Sequence, residues 1–148
     1  MKIHEKFKQI CNLIKKQIND SLEKYDLTFS QSNILMFILL NKDKKINQRQ
    51  IEHEFNLSNP TVNGILNRLE NKRFIKRSID EKDKRIKYII PLQKSYEFME
   101  NVKKTKEKME INMLKNINEE ELATLDIILE KININLKEEI KWKKYLMY

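Results

Sequence analysis

The scarcity of turn-forming residues is the feature that most constrains the fold of this chain. Its 148 residues include one glycine and two prolines. Glycine and proline are the residues that most often interrupt helices and form tight turns, so the sequence favours long helices. Helix starts are marked by capping boxes, in which an N-cap side chain and the side chain three residues later each bond to the other's backbone amide. Such boxes begin at Thr28 and Asn47, and a related motif begins at Asn118.

Apolar periodicity predicts six helices and one hairpin. The predicted helices span about residues 5–24, 28–40, 47–55, 57–70, 92–116 and 118–136, and the strands span 74–79 and 85–90. A short turn joins the third and fourth helices into a helix-turn-helix, and the hairpin follows as a wing. We therefore predict a mostly α protein with one β-hairpin. Residues 28–92 should form a winged helix-turn-helix lobe, and residues 1–27 and 93–148 a helical dimerisation lobe.

The fourth helix has one apolar face and one polar face. Val62 and Leu66 lie on the apolar face, while Asn63, Asn67 and Arg68 lie on the opposite one. Asparagine pairs through two hydrogen bonds with adenine, and arginine with guanine, in the major groove of DNA. A solvated surface helix is the alternative explanation, and the neighbouring elements must decide between the two.

The net charge, the few histidines and cysteines, and the length of the apolar runs exclude several function classes. The formal net charge of +8 suits a polyanionic partner, although a lysine-rich composition from an AT-rich genome explains it equally well. The two histidines, His4 and His53, are far apart, so we expect no metal site, no cofactor and no enzymatic activity. The single cysteine, Cys11, fits a reducing compartment. The longest apolar run, residues 34–40, is too short to span a bilayer, so we expect a cytoplasmic protein.

Six short motifs follow one another along the chain: Leu27-Thr28-x-x-Gln31, Ser58-x-Pro60-Thr61-Val62, Leu66-x-x-Leu69-Glu70, Phe74-Ile75-x-Arg77, Asp80-x-Lys82-Asp83-x-Arg85 and Glu120-Glu121. In this order they resemble the motifs of the MarR family of dimeric winged-helix transcription factors. The resemblance implies a homodimer that places two recognition helices in successive major grooves of a near-palindromic operator, about ten base pairs apart. It also implies a repressor that a small phenolic or lipophilic effector, or oxidation, releases from DNA. The apolar stripe of the last helix independently favours packing on a partner subunit, together with the first helix.

The resemblance and the polar faces together give a set of expected site residues. We expect contacts with double-stranded DNA from Ser30, Gln31, Gln48, Asn59, Pro60, Thr61, Asn63, Gly64, Asn67, Arg68, Lys82 and Arg85. Helix packing is the alternative role of Gly64, and pairing with Asp80 is the alternative role of Arg85. Candidate effector-binding residues are Phe7, Ile14, Met36 and Tyr96.

Three departures from the family pattern bear on these expectations. The family has glycine where Arg73 stands, at the exit of the recognition helix. A left-handed conformation is costly for other residues, so we expect the turn to shift and Asn71 to act as the cap. Lysine replaces the first arginine of the wing at position 82, which weakens the expected minor-groove contact. Residues 92–96 lack the family's threonine and glycine, which leaves the start of the fifth helix open.

Three rival functions remain. A winged helix can serve as a protein-interaction module without binding DNA, although Asn63 and Lys82 count against this. A regulator could sense oxidation through Cys11, but its place beside Ile10 favours a buried structural cysteine. The aromatic and lysine-rich tail, residues 141–148, could bind a membrane surface, but packing on a partner subunit is favoured and no membrane association is expected.

Overall fold

The part of the chain that the structure describes consists of six helices and one β-hairpin. The computed structural model describes the backbone of residues 2–146 and the side chains of residues 2–138. Its elements are α1 (Ile3–Glu23), α2 (Phe29–Leu40), α3 (Gln48–Phe55), α4 (Asn59–Asn71), β1 (Ile75–Ile79), β2 (Lys87–Pro91), α5 (Gln93–Met113) and α6 (Glu119–Leu146). The predicted fold class is confirmed. No described helix is long and apolar enough to cross a membrane. The membrane-surface alternative concerns side chains beyond residue 138 and stays a prediction.

The chain divides into two compact units, one up to Glu107 and one from Lys108. In the first unit, α2 is the central helix, as predicted, because its side chains are apolar on almost every side. Ile34 and Leu35 are completely covered, and α2 packs against α1, α4 and β2. The predicted boundaries of the winged lobe and the dimerisation lobe differ from this division and stay predictions.

The hairpin is anchored to the helices at both of its ends. β1 and β2 are antiparallel, with Arg77 opposite Ile89, and the Ile89 amide donates to the Ile46 carbonyl across 2.8 Å. The Phe74 carbonyl accepts the Leu92 amide at 2.8 Å and the hydroxyl of buried Ser95. These bonds fix the beginning of α5 at Gln93, which the sequence had left open.

The exit of α4 does not shift to avoid a strained residue. Arg73 occupies the left-handed region with φ 60°. Its amide donates to the Glu70 carbonyl and the Phe74 amide to the Leu69 carbonyl, both at 2.9 Å. This is the Schellman pattern of helix termination, which normally uses glycine at the left-handed position. The prediction of a shifted turn capped by Asn71 was therefore wrong.

Helices α1 and α6 each expose a large part of their apolar side chains. On α1, Ile3 and Leu13 are each 63% exposed, and only Leu22 is fully buried. On α6, exposed apolar side chains recur along the predicted stripe at Leu122, Leu125, Leu129 and Leu136. Surfaces of this kind are uncommon on a monomer unless they bind a partner.

Candidate nucleic-acid interface

Helix α4 is held on the molecule by its apolar face and joined to α3 by a tight turn. Val62, Leu66 and Leu69 are 0% exposed, so this face is fully used in the core. Asn56 ends α3 in the left-handed conformation with φ 48°, which asparagine tolerates well. The Leu57 amide donates to the Glu52 carbonyl at 3.0 Å and closes the turn. The outer face of α4 is therefore fixed in direction.

That outer face is polar and open. Thr61, Asn63, Asn67 and Arg68 are exposed, and Gly64 lies among them. A Cβ placed on Gly64 would meet no atom within 4 Å. Helix packing at Gly64 is therefore excluded for the described chain, and the glycine leaves a shallow gap in the surface.

The N-cap of α4 is Ser58. The Ser58 side chain makes no cap hydrogen bond to the helix backbone, and its Oγ lies 2.8 Å from Thr61 Oγ1 instead. Pro60 follows in the first turn, where a missing amide is tolerated. Amides at the start of a helix attract anions when no side chain caps them.

Glu52 links the two helices of the helix-turn-helix. Its Oε1 accepts a hydrogen bond from Gln48 Nε2 at 3.0 Å and from Asn59 Nδ2 at 2.8 Å. The contact leaves the amide oxygens of Gln48 and Asn59 pointing away from the carboxylate.

Arg77 of β1 reaches the polar face of α4 from the side. Its Nη1 donates to Glu70 Oε2 at 2.9 Å and to Asn67 Oδ1 at 2.7 Å, and its Nη2 donates to Asn63 Oδ1 at 3.2 Å. The Arg77 amide also donates to Glu70 Oε1 at 3.0 Å. One guanidinium therefore contacts both asparagines expected to read base edges.

The wing is closed by two aspartates. Asp80 Oδ1 accepts the Lys82 and Asp83 amides, each at 2.9 Å, and these bonds hold its pKa below the ordinary value. Asp83 binds Arg85 through Nε at 3.0 Å and Nη2 at 3.1 Å, which lowers the pKa of Asp83. Arg85 thus pairs with Asp83, and the alternative role of pairing with Asp80 was wrong. Lys82 is exposed beside this turn.

Comparison with known proteins gives this geometry a context. The sequence profile of the MarR family matches residues 25–86, the segment that contains α2, α3, α4 and β1. The helix-turn-helix transcriptional regulator YdgJ of Bacillus subtilis is 29% identical over 107 residues, or 72% of this chain. SarZ of Staphylococcus aureus, another regulator of this type, is 33% identical over 85 residues, or 53% of this chain. The matched stretches span only 65% of YdgJ and 56% of SarZ.

Solved structures extend the match along the chain. S. aureus MepR in its complex with DNA aligns with a TM-score of 0.79 and 26% identity, over 88% of this chain and 96% of MepR. MepR bound to ethidium bromide aligns with a TM-score of 0.72 and 25% identity, over 92% of this chain and 97% of MepR. The helix-turn-helix segment of the chain, residues 25–86, matches the MarR family. Its relatives are transcriptional regulators, in agreement with the prediction that it is not an enzyme.

Two predicted phosphate contacts lie at the beginning of α2. Ser30 is exposed, whereas Gln31 is 3% exposed. Gln31 Oε1 accepts the Thr28 amide at 3.3 Å and thereby completes the capping box. Because its side chain is buried and used in the cap, Gln31 is not positioned to bind a phosphate.

The predicted effector residues are spread over three helices of the MarR-family fold. Phe7 and Ile14 of α1 are partly buried, and Met36 of α2 packs against the core. Tyr96 lies on the surface of α5, with Lys42 Nζ 5.5 Å from its ring centroid. Their role in binding an effector stays a prediction.

Cys11 is exposed, so the expectation of a buried structural cysteine was wrong.

Arg77 is the site residue that the sequence prediction missed. Arg77 was read only as part of a family motif. The strand alternation contained a usable signal, because residues two apart on a strand share a face. Ile75 is 1% exposed, so Arg77 also faces the helices and needs an acidic or carbonyl partner there.

Proposed function

We propose that this protein is a transcriptional regulator that binds double-stranded DNA with sequence specificity. The observation that supports this most is the fixed, open polar face of α4, where Asn63, Asn67 and Arg68 surround a glycine with free space above it. Short amides and a guanidinium match the hydrogen-bonding groups of base edges in the major groove. The MepR structure solved with DNA supports the same function.

The remaining contacts are proposed to position the protein on the DNA backbone. Exposed polar residues lie at the starts of α2, α3 and α4, where helix amides favour phosphate. The proposed phosphate and wing contacts are Ser30, Gln48, Asn59, Pro60, Thr61, Lys82 and Arg85. Gln31 is left out because it is buried. Arg85 keeps its guanidinium edge beside Asp83, so its contribution to DNA binding is smaller than that of Lys82.

A homodimer is part of the proposal. The exposed leucines of α6 and the exposed apolar residues of α1 would be buried favourably in an interface. A second copy of the chain carries the same surfaces, so the two copies can bury them against each other. A dimer also supplies the two recognition helices that a near-palindromic operator requires. We further propose repression, a cytoplasmic location, and release by a lipophilic effector near Phe7, Ile14, Met36 and Tyr96.

The DNA-binding proposal is tested by mobility shift on the promoter of the protein's own gene and by selection from random duplexes. Asn67→Ala should lose discrimination between sequences, because Asn67 lies on the reading face. Lys82→Ala should weaken binding to all duplexes and reduce the salt dependence by about one unit of slope. Lys16→Ala, which removes an exposed lysine of α1, serves as the charge-matched control. Failure of the wild-type protein to shift any duplex would favour the protein-interaction module.

The dimer is tested by light scattering of the full chain. The wild-type protein should have twice the mass of the 18.0 kDa chain. Leu125→Glu places a charge in the exposed stripe of α6 and should shift the protein towards the single-chain mass. Thr124→Glu, at the neighbouring position, adds the same charge and is the matched control. A wild-type protein of single-chain mass would contradict the proposed dimer.

The effector proposal is tested with ethidium as the probe, since MepR has been solved bound to ethidium bromide. Titration of the protein with ethidium without DNA avoids intercalation, and fluorescence anisotropy reports binding. Met36→Lys should weaken binding if the site lies where we propose. Equal binding by the variant and the wild-type protein would move the site elsewhere.

A further inference from the structure

The guanidinium of Arg77 determines whether the oxygen or the nitrogen of the Asn63 and Asn67 side-chain amides faces outward. Arginine has five N–H donors and no acceptor, so any side-chain amide within hydrogen-bonding distance must turn its oxygen towards it. Asn67 Oδ1 at 2.7 Å and Asn63 Oδ1 at 3.2 Å are both in that position. The NH₂ groups of both asparagines therefore point away from the arginine. Because Arg77 can only donate, the assignment of the oxygen and the nitrogen of each asparagine side chain follows from the chemistry of its neighbour.

The arginine itself is held in place. Its side chain is 20% exposed, and Glu70 Oε2 accepts from Nη1 at 2.9 Å while Glu70 Oε1 accepts the Arg77 amide. A carboxylate that binds both the backbone and the side chain of one residue leaves little freedom to that residue. The three acceptor residues lie on α4, and the donor, Arg77, lies on β1. The hairpin therefore determines the orientation of the asparagine side-chain amides on the helix.

We propose that Arg77 is a specificity-determining residue that presents Asn63 and Asn67 to DNA through their NH₂ groups. This inference rests on the proposed function and concerns the same face of α4. The bases that suit such donors carry acceptors in the major groove, namely N7 and O6 of guanine, N7 of adenine and O4 of thymine. The protein reads these acceptors with the two amides.

This assignment differs from the two-pronged adenine contact expected from the sequence. That contact needs the oxygen and the nitrogen of one amide to face the same base, because adenine offers a donor at N6 and an acceptor at N7. When the oxygen of Asn67 faces Arg77, only the nitrogen is directed at the base. The oxygen of Asn67 is then directed at Arg77 rather than at the adenine N6 amino group, which weakens the discrimination in favour of adenine.

The first experiment uses the unmodified protein and altered DNA. An operator is selected from random duplexes, and the positions read by Asn67 are located as those where Asn67→Ala relaxes the preference. A 7-deazapurine at such a purine position removes the N7 acceptor, and 2-aminopurine in place of adenine removes the N6 amino group. We expect the 7-deaza change to weaken binding by at least about threefold and the loss of the amino group to have little effect. Equal losses from both changes would overturn the inference.

The second experiment changes the arginine. Arg77→Lys keeps the charge and the pairing with Glu70, but one nitrogen cannot reach the three side-chain acceptors that the guanidinium contacts. We expect the variant to lose base preference at the positions read by Asn67 while keeping the salt dependence of the wild-type protein. Lys76→Gln, which removes an exposed charge from the same strand, is the control and should keep the preference. An Arg77→Lys variant with the wild-type preference would refute the inference.

These outcomes separate the inference from the proposed function. A wild-type protein that selects no sequence contradicts the function itself. A protein that selects an operator but tolerates 7-deazapurines contradicts only the role of Arg77. Thermal unfolding of each variant is measured in parallel, and the base-analogue experiment decides the question even where the Arg77→Lys variant does not fold.

Discussion

Replacement of Arg73 by glycine should stabilise the protein. Four described non-glycine residues have positive φ, namely Asp26, Asn56, Arg73 and Asn116. Aspartate and asparagine tolerate this region because their short side chains bond locally, but arginine has no such advantage. The two hydrogen bonds that end α4 come from backbone amides, so Arg73→Gly leaves both in place.

The magnitude follows from two opposing effects at this position. The left-handed conformation costs an L-residue about 1–2 kcal/mol. Glycine avoids that strain but loses more backbone freedom on folding, which costs about 0.5–1 kcal/mol. The net gain is therefore about 0–1.5 kcal/mol, with a central value of about 0.75 kcal/mol. In a chain of this size, 1 kcal/mol corresponds to about 2–4 °C in the melting temperature.

Urea unfolding followed by circular dichroism measures the change at an unchanged m-value. Arg73→Ala is the decisive control, because alanine removes the charged side chain but keeps the Cβ that causes the strain. We expect Arg73→Ala to stay within about 0.5 kcal/mol of the wild-type protein. If alanine stabilises the protein as much as glycine does, the side chain rather than the backbone conformation is responsible, and the reasoning fails.

Three further predictions concern the core and the wing. Phe98→Ala should destabilise by about 3–5 kcal/mol in urea unfolding, because Phe98 is 1% exposed and packs edge-on between two aromatic rings. Ser95→Ala should cost only about 0.5–1.5 kcal/mol in the same assay, because the Phe74 carbonyl keeps a second backbone donor. Asp80 has a lowered pKa, chiefly because the Asp83 amide donates to it. Its stabilising contribution is therefore complete above the ordinary pKa of 3.8 and disappears as the pH falls through the lowered value. Asp80→Asn should remove this part of the acid dependence, as melting temperatures measured at a series of pH values would show.

The features predicted correctly from the sequence are those formed by residues close together in the chain. The capping boxes at Thr28 and Asn47 formed as predicted, with the Gln50 amide 3.1 Å from Asn47 Oδ1. Each box closes within three residues, so no other part of the fold can displace it. The buried face of α4 was predicted for the same reason, because helical spacing alone determines which side chains lie together.

The predictions that were wrong depend on contacts between separate segments or on choices between close neighbours. Arg85 pairs with Asp83 because the amides at the wing turn already occupy Oδ1 of Asp80. Cys11 is exposed in the chain because its part of α1 has no covering element in the first unit. Periodicity identifies a face but not the group that meets it.

The character of the α4 surface is therefore not a property of the α4 sequence alone. Asn63 and Asn67 could present either end of their amides, and the helix gives no preference between them. The choice is made by Arg77, which lies ten residues beyond Asn67 on a strand and is fixed by Glu70. Grafting the exposed residues of α4 onto another winged helix would transfer the amides without their orientation. A recognition code for this protein has to include the strand residue that contacts the helix.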